Sequence, residues 1–250
     1  MRIAKVEWSG RELWAEFADG IAYEIEGPGG SQTRGVELGP IEQARLLAPM
    51  EPYNKIVALM GNWSGRNERQ GSGLWIKPNN CVIPTVSNIR WPKALKDEHA
   101  PAFEAELAVI IGKTAKDVSM EDAKDHIFGF TITNDVTAFG VLKEDTVAAQ
   151  TFRFKIYDDF MPMGPWIETD FDPKGREIRG ILNGEIKQKA NFDNMAFDIY
   201  ETLSWASSVM TLNVGDIISM GTPAGFVEMA RGDVVRCEID GIGAIENQLV

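Results

Sequence analysis

The segment Glu-Ala-Glu-Leu-Ala-Val-Ile-Ile-Gly, at residues 104–112, sets two glutamates before an apolar run that ends in glycine. Such a short apolar run is typical of a β-strand. Further β-type runs, separated by glycine and proline, occupy residues 55–60, 127–133, 216–220 and 233–239. Many strands with few helices, and no alternation of strand and helix, predict an α+β fold that is mainly β.

Outside these runs, three segments favour helix. Residues 119–122 resemble a capping box with aspartate in place of the usual glutamate, and residues 195–210 place apolar side chains on one helical face. Residues 41–48 could form one short helix, stopped by the prolines that follow. Because the first fifty residues otherwise show a strand–turn–strand pattern, we predict a small β-rich domain over 1–50 and a larger domain over 51–250.

Charge and composition exclude several classes of function. The 250 residues carry a net charge of -12, so a nucleic acid would be repelled. No apolar stretch is long enough to span a membrane, and the N-terminus lacks the apolar core of a signal peptide, so we expect a cytoplasmic protein. With only two cysteines and two histidines, any bound metal should be a hard cation held by carboxylates.

Acidic residues stand at the ends of two β-type runs. Glu104 and Glu106 are two residues apart, so in a strand their side chains project from the same face. Asp135 follows Asn134 at the end of the 127–133 run. Three carboxylates from two strands would suit Mg²⁺ or Mn²⁺ and leave coordination positions open. Spacing alone favours the other interpretation, a solvated strand face, because Glu-x-Glu pairs are common there.

Two loop segments could bind an anionic substrate. Lys155 enters an irregular, proline-containing loop, where it could bind an acid or polarise a carbonyl. Gly221-Thr222-Pro223 forms a tight turn after a β-type run, and such turns can hold a carboxylate. Taken alone, a surface lysine and an ordinary hairpin turn are the simpler interpretations of these two segments.

Short motifs follow one another in a specific order along the chain. They are Glu104-x-Glu106-Leu107-Ala108-Val109-x-Ile111-Gly112-Lys113, Gly129-Phe130-x-x-x-Asn134-Asp135-Val136, Lys155-x-x-Asp158-x-Phe160-x-Pro162-x-Gly164-Pro165, Asn183-Gly184-Glu185, Gly215-Asp216-x-Ile218-x-x-Gly221-Thr222-Pro223-x-Gly225 and Gly232-Asp233. Each motif is weak by itself, but the ordered set is specific. Over about residues 55–250 the chain resembles the fumarylacetoacetate hydrolase family.

The resemblance implies a fold and a metal site. The family fold is a mixed β-sandwich roll, and its members are usually dimeric, so we expect a homodimer. By residue-for-residue match, the resemblance implies Mg²⁺ or Mn²⁺ held by Glu104, Glu106 and Asp135. This implication outweighs the solvated-face interpretation of the acidic pair.

The resemblance also implies which residues meet the substrate. Lys155 matches the family's substrate-contacting lysine. Thr222, between Gly221 and Pro223, matches the threonine that binds the acid end of the substrate. Lys77, in Trp-Ile-Lys-Pro, matches a lysine near the family's pocket.

Other positions depart from the family pattern. Arg66 and Arg69 stand where many members carry a histidine and a glutamate that activate water, and Glu68 is one position off. Phe139 replaces an arginine, and Leu142 stands near a usual glutamine. We therefore expect a less polar pocket wall and a different substrate shape.

These departures shape the functional hypothesis. A metal-chelated 2-oxo acid can form an enolate, which leads to isomerisation, decarboxylation or C–C hydrolysis. Without the histidine, we favour isomerisation or decarboxylation of a 2-oxo or 2-hydroxy-dienoic dicarboxylic acid from aromatic catabolism. Arg66 and Arg69 would clamp its second carboxylate, or are solvated loop residues. The alternatives are a C–C hydrolase of an acylpyruvate-type substrate that uses Glu68, and a non-catalytic protein that binds oxo acids.

Overall fold

The computed structural model describes residues 1–63, 73–144 and 152–250. Over these residues the chain forms 17 strands and two α-helices. The strands are β1 (Arg2–Trp8), β2 (Arg11–Ala18), β3 (Ile21–Ile25), β4 (Glu37–Pro40), β5 (Arg45–Leu46), β6 (Ile56–Met60), β7 (Gly73–Lys77), β8 (Val82–Pro84), β9 (Asn88–Ile89), β10 (Ala105–Ile111), β11 (Ile127–Asn134), β12 (Met161–Glu168), β13 (Glu177–Leu182), β14 (Glu185–Asn191), β15 (Ile217–Ser219), β16 (Val234–Ile239) and β17 (Gly243–Leu249). The α-helices are α1 (Phe139–Glu144) and α2 (Ile199–Val209).

The strands form two sheets. The larger has 12 strands in the order β4-β3-β2-β1-β12-β11-β10-β15-β6-β7, with β5 pairing with β1 and β8 pairing with β12. The smaller has five strands in the order β14-β13-β16-β17-β9. Most pairs are antiparallel, while β6–β15, β8–β12 and β9–β17 are parallel. The mainly β, α+β fold predicted from the sequence is confirmed.

Strand β10 lies at the centre of the molecule, and every residue in it is buried. One face, with Leu107, Val109 and Ile111, packs into the core between the two sheets. The opposite face, with Ala108 and Ile110, packs into a second core on the far side of the large sheet. Because both faces are covered, the strand has a continuous apolar sequence instead of an alternating one. Full burial of each branched side chain stabilises the fold by about 1.5–3 kcal/mol.

The first fifty residues extend the large sheet. Strands β1, β2 and β3 form where alternation predicts them, and β1 pairs with β12 through Arg2↔Glu168 and Ile3↔Ile167. These strands enclose a small apolar cluster that includes Val6 and Trp8. A domain boundary near residue 50 stays a prediction.

Two of the helix predictions are wrong, and one is confirmed. Residues 41–48 form a 3₁₀ turn at Ile41–Gln43 followed by β5, because Leu46 pairs with Val6 of β1 and a helix this short gains little by itself. Near residue 119 only a 3₁₀ turn forms, because the chain enters β11 immediately afterwards. Helix α2 is present and begins at a complete capping box. No helix in the described ranges is long and apolar enough to cross a membrane.

Candidate active site

Three carboxylates converge where β10 begins and β11 ends. The strands pair antiparallel with Ala105 opposite Asn134, so the residues that flank this pair lie side by side. The Asp135 amide donates to the Glu104 carbonyl at 2.9 Å. Glu104, Glu106 and Asp135 are buried, and ligand oxygens from the three lie within 4.8 Å of one another. The solvated strand face that spacing alone favoured is therefore wrong for this pair of glutamates.

Two lysines neutralise part of this charge. The Lys155 ammonium donates to Glu104 Oε2 at 2.6 Å and also to Asp135 Oδ2. The Lys77 ammonium, 1% exposed, donates to Asp135 Oδ1 at 2.5 Å. Both ammonium groups lie within 6 Å of the Trp75 ring centroid, at 5.8 and 5.2 Å. The surface position that the sequence alone favoured for Lys155 is therefore wrong.

Glu106 is held by neutral donors. Its Oε2 accepts hydrogen bonds from the Ser219 hydroxyl at 2.6 Å and from the Gly221 amide at 3.0 Å. Ser219 in turn contacts the Thr133 hydroxyl at 2.9 Å. The Gly221 backbone, predicted to face the substrate, thus orients Glu106. Gly221 has a φ of +79°, a conformation that glycine adopts at no steric cost.

Burial and charge move the pKa values of these groups in different directions. Burial raises the pKa of Glu106 to about 8, and the charge of Asp135 acts in the same direction. Burial alone would raise the pKa of Asp135, but the charges of Lys155 and Lys77 outweigh it and lower the pKa. Three acidic and two basic side chains therefore share one buried site, which would carry a net charge of -1 with all five groups ionised.

This donor set fits a divalent cation. All the candidate donors are carboxylate oxygens, which Mg²⁺ and Mn²⁺ prefer over nitrogen or sulfur. With all three carboxyl groups ionised, the two lysines leave one buried negative charge that a bound cation would neutralise. Glu104, Glu106 and Asp135 are the residues that would hold it.

A pocket of about 400 Å³ opens above the carboxylates. Its floor is formed by Glu104, Glu106, Lys155 and Thr222. The walls are apolar and include Trp63, Phe139, Phe154 and Phe226. Polar groups that converge at one end of an apolar cavity are typical of small-molecule sites.

Thr222 is held in place by a residue that the sequence did not reveal. Gln188, fully buried in β14, donates to the Thr222 hydroxyl at 2.8 Å and to the Pro223 carbonyl at 2.7 Å. Its side-chain oxygen accepts from the Ala105 amide at 3.0 Å. Thr222 also donates to the Ala105 carbonyl at 2.9 Å. Gln188 therefore connects the Gly-Thr-Pro turn to the strand that carries the glutamates.

Further site residues lacked a usable sequence signal. Thr137 donates to Glu104 Oε2 at 2.9 Å, and Ser219 binds Glu106, yet single hydroxyl residues at strand ends are common. Gln188 lies between two lysines, so its strand resembles a solvated one. Its position inside depends on Gly180, where a Cβ atom would lie 2.6 Å from Gln188 Oε1.

Other predicted residues lie elsewhere. Arg66, Glu68 and Arg69 fall outside the described residues. His126 contacts the Lys113 carbonyl, and His99 contacts Glu144, so both histidines have partners away from the pocket floor.

Comparisons place the chain among known proteins. The protein-family model described as Fumarylacetoacetate (FAA) hydrolase C-terminal matches residues 52–250. An uncharacterised protein of Methanocaldococcus jannaschii is 45% identical over 174 residues, which cover 70% of this chain and 71% of that protein.

Two solved structures are similar along the whole chain. The 2-hydroxyhepta-2,4-diene-1,7-dioate isomerase from Mycobacterium marinum is 36% identical with a TM-score of 0.89, covering 100% of this chain and 98% of that chain. Maleylpyruvate hydrolase from Sphingobium sp. SYK-6, in complex with manganese (II) ion and pyruvate, is 27% identical with a TM-score of 0.82 and covers 100% of this chain and 99% of that chain. The sequence and the fold therefore point to the same group of proteins.

Proposed function

This chain belongs to the fumarylacetoacetate hydrolase family, and we propose that it isomerises or decarboxylates a 2-oxo acid. One observation carries the proposal. Two buried glutamates and a lysine form the floor of a pocket whose walls are apolar, and the carboxylate of Asp135 lies beside them. Charge that develops on a substrate oxygen would meet fixed partners there, away from bulk water.

The carboxylates define where the reacting end of the substrate lies. Glu104, Glu106 and Asp135 would hold Mg²⁺ or Mn²⁺, which supplies a Lewis acid for the oxygens of an oxo acid. The similar maleylpyruvate hydrolase, whose structure contains manganese and pyruvate, supports the choice of a divalent cation and an oxo acid.

Lys155 and Lys77 have different roles in this proposal. Lys155 lines the pocket, so its ammonium can bind an acidic oxygen and stabilise negative charge at the keto oxygen when C3 loses a proton or a carboxyl group. Lys77 is 1% exposed, is not among the residues that line the pocket, and donates to Asp135. It is therefore a positioning residue that fixes the Asp135 carboxylate. Thr222, fixed by Gln188, would contact the acid end.

The described residues favour isomerisation or decarboxylation over hydrolysis. Hydrolysis requires a group that activates water, usually a histidine or a free carboxylate. Within residues 1–63, 73–144 and 152–250, no histidine lines the pocket, and its only acidic lining residues are Glu104 and Glu106. Decarboxylation needs no activated water, and isomerisation needs a group that moves the C3 proton, a role that a lysine or a glutamate of the floor could fill. C–C hydrolysis with Glu68 remains the second candidate, because the similar Sphingobium protein is a hydrolase.

Proton exchange at C3 separates these reactions. The protein would be incubated in D₂O with oxaloacetate, acylpyruvates and ring-cleavage oxo acids, with Mn²⁺, Mg²⁺ or EDTA, and followed by NMR. We expect deuterium at C3 or loss of CO₂, and EDTA should abolish both. Cleavage to two acids would favour the hydrolase, and binding without exchange would favour the non-catalytic alternative.

A matched pair of variants tests the role of Lys155. Lys155→Met should lower the exchange rate at least tenfold, because one neutral side chain replaces the ammonium at the pocket floor. Lys189→Met removes an exposed lysine from β14 and should leave the rate unchanged. Equal rates for the two variants would contradict the proposed role.

We also propose a homodimer in the cytoplasm, which rests on the family resemblance. Size-exclusion chromatography with light scattering would measure the mass in solution. A mass equal to that of one chain would contradict the dimer.

A further inference from the structure

The outer part of the pocket is formed by a patch of large apolar side chains. We call Met60, Phe139, Leu142, Ala224 and Phe226 the apolar wall. The Phe139 and Phe226 rings are stacked, with centroids 4.9 Å apart and planes at 19°. Met60, Leu142 and Phe226 are 53%, 36% and 39% exposed, although such side chains are usually covered. Wall and floor line the same pocket, so a ligand that extends beyond the floor would contact the wall.

The backbone holds this wall in position. Phe139 is the first residue of α1, and the preceding Ala138 amide donates to the Phe154 carbonyl at 2.8 Å. Phe226 follows Gly225, whose φ is +101° and where a Cβ atom would lie 2.3 Å from the Lys187 carbonyl oxygen. Only glycine allows the chain to pass this close to β14. The loop that presents Phe226 is therefore fixed by the sheet beneath it.

In the described part of the pocket, the charged side chains lie at the floor. Among the described lining residues, only Glu104, Glu106 and Lys155 are charged, and all three belong to the carboxylate site. Against the described part of the wall, a second carboxylate on the substrate would contact aromatic and aliphatic side chains. Burying an ionised group there without a partner is unfavourable. An alkyl or aryl group would instead gain from contact with the wall.

The size of the pocket leads to the same conclusion. A cavity of about 400 Å³ is in the range that holds ligands larger than pyruvate. Once the 2-oxo acid group occupies the floor, the rest of the volume lies along the wall. The pocket therefore has room for an arm of several carbons.

We propose that the apolar wall binds an uncharged alkyl or aryl arm of the substrate, so that the preferred substrates are 2-oxo acids with an apolar far end. This inference rests on the proposed function for the position of the acid group. It differs from the dicarboxylic substrate predicted from Arg66 and Arg69, which lie outside the described residues.

Two acids of equal length test the inference. 2-Oxohexanoate and 2-oxoadipate share the head group and C3, and they differ only in a terminal methyl or carboxylate. Binding would be measured by calorimetry with Mn²⁺ present, and deuterium exchange at C3 would be followed in parallel. We expect 2-oxohexanoate to bind at least tenfold more tightly. Each methylene added to a shorter acid should tighten binding about fourfold.

Variants of Leu142 test whether the apolar wall causes the preference for one acid over the other. Leu142→Arg adds a cation at an exposed position and should shift the ratio of the two dissociation constants at least tenfold toward 2-oxoadipate. Leu142→Met keeps the wall apolar and should preserve the preference. Val209→Arg adds the same charge at an exposed site outside the pocket lining and should leave the ratio unchanged.

The outcomes separate this inference from the proposed function. Tighter binding of 2-oxoadipate to the unmodified protein, or equal binding of both acids, overturns the apolar arm and supports the arginine clamp. Preference for 2-oxohexanoate without any exchange at C3 preserves the arm site and overturns the proposed reaction. If neither of the two acids nor pyruvate binds, the arm site and the proposed function are both overturned.

Discussion

Replacing Gln188 with leucine should destabilise the protein and displace the Gly-Thr-Pro turn. The side chain is fully buried and makes three hydrogen bonds, to the Ala105 amide, the Thr222 hydroxyl and the Pro223 carbonyl. Leucine has a similar size but leaves the amide and the carbonyl without partners. At about 2 kcal/mol for each buried unpaired group, less about 1 kcal/mol for added apolar contact, the net loss is about 3 kcal/mol.

Urea denaturation measures this loss directly. The midpoint should fall while the denaturant slope stays constant, and the thermal unfolding temperature should fall by about 6–12 °C. Activity should fall as well, with a higher KM for the oxo acid, because Thr222 loses the amide that orients its hydroxyl.

Gln248→Leu is the matched control. Gln248 is exposed and its side chain donates to the Gly232 carbonyl at 3.0 Å, so the same substitution should change stability by less than about 0.5 kcal/mol. If Gln188→Leu lost no more stability than this control, and its KM were unchanged, Gln188 would not position the turn.

Three further perturbations test other parts of the molecule. Lys77→Met should lower the free energy of unfolding by about 3 kcal/mol and slow catalysis, because a buried carboxylate loses one of its two cations; urea denaturation and kinetics measure these effects. Cys81 and Cys237 should react with a disulfide reagent at about pH 8 only after unfolding, because burial raises the pKa of the Cys81 thiol to about 11 and raises that of Cys237 as well. Arg34→Met should destabilise the protein at pH 7, because the Arg34 hydrogen bond lowers the pKa of Glu16. That stabilisation is present above the ordinary glutamate pKa and is lost as the pH falls through the lowered one, so thermal unfolding of the two proteins should converge in acid.

Local sequence patterns predict the strands better than the helices. Strand β10 follows from its apolar run, and β1 to β3 follow from alternation, because each pattern reports directly which faces are covered. Residues 41–48 carry a weak helical pattern, but Leu46 gains more by pairing with β1 than a single helical turn could provide. Tertiary contacts of this kind lie far away in the sequence, so local signals do not contain them.

The residues of the site also differ in how well the sequence predicts them. Glu104 and Glu106 show their shared face in the sequence, whereas their burial depends on β15 and on the turn that follows it. The position of Asp135 at the end of another β-type run suggested it as a third ligand, and the order of the motifs made this set specific. The sequence does not predict Gln188 as a site residue, because a single polar residue between two lysines is typical of a solvated strand. Only its hydrogen-bond partners in the core show that its side chain points inward.

The placement of the polar floor and of the apolar wall suggests how substrate preference can change without loss of chemistry. Asp135 and Phe139 are four residues apart, and so are Thr222 and Phe226. In each pair, the first residue follows a strand of the large sheet and the second lies in the helix or loop that comes next. Strand pairing fixes the carboxylates and the Gly-Thr-Pro turn, because a shift in register would move them together. The wall residues are free of that constraint, since loops tolerate substitution more readily than paired strands. Substitution at Phe139 or Phe226 should therefore alter the arm that binds while the reacting end of the substrate stays in place.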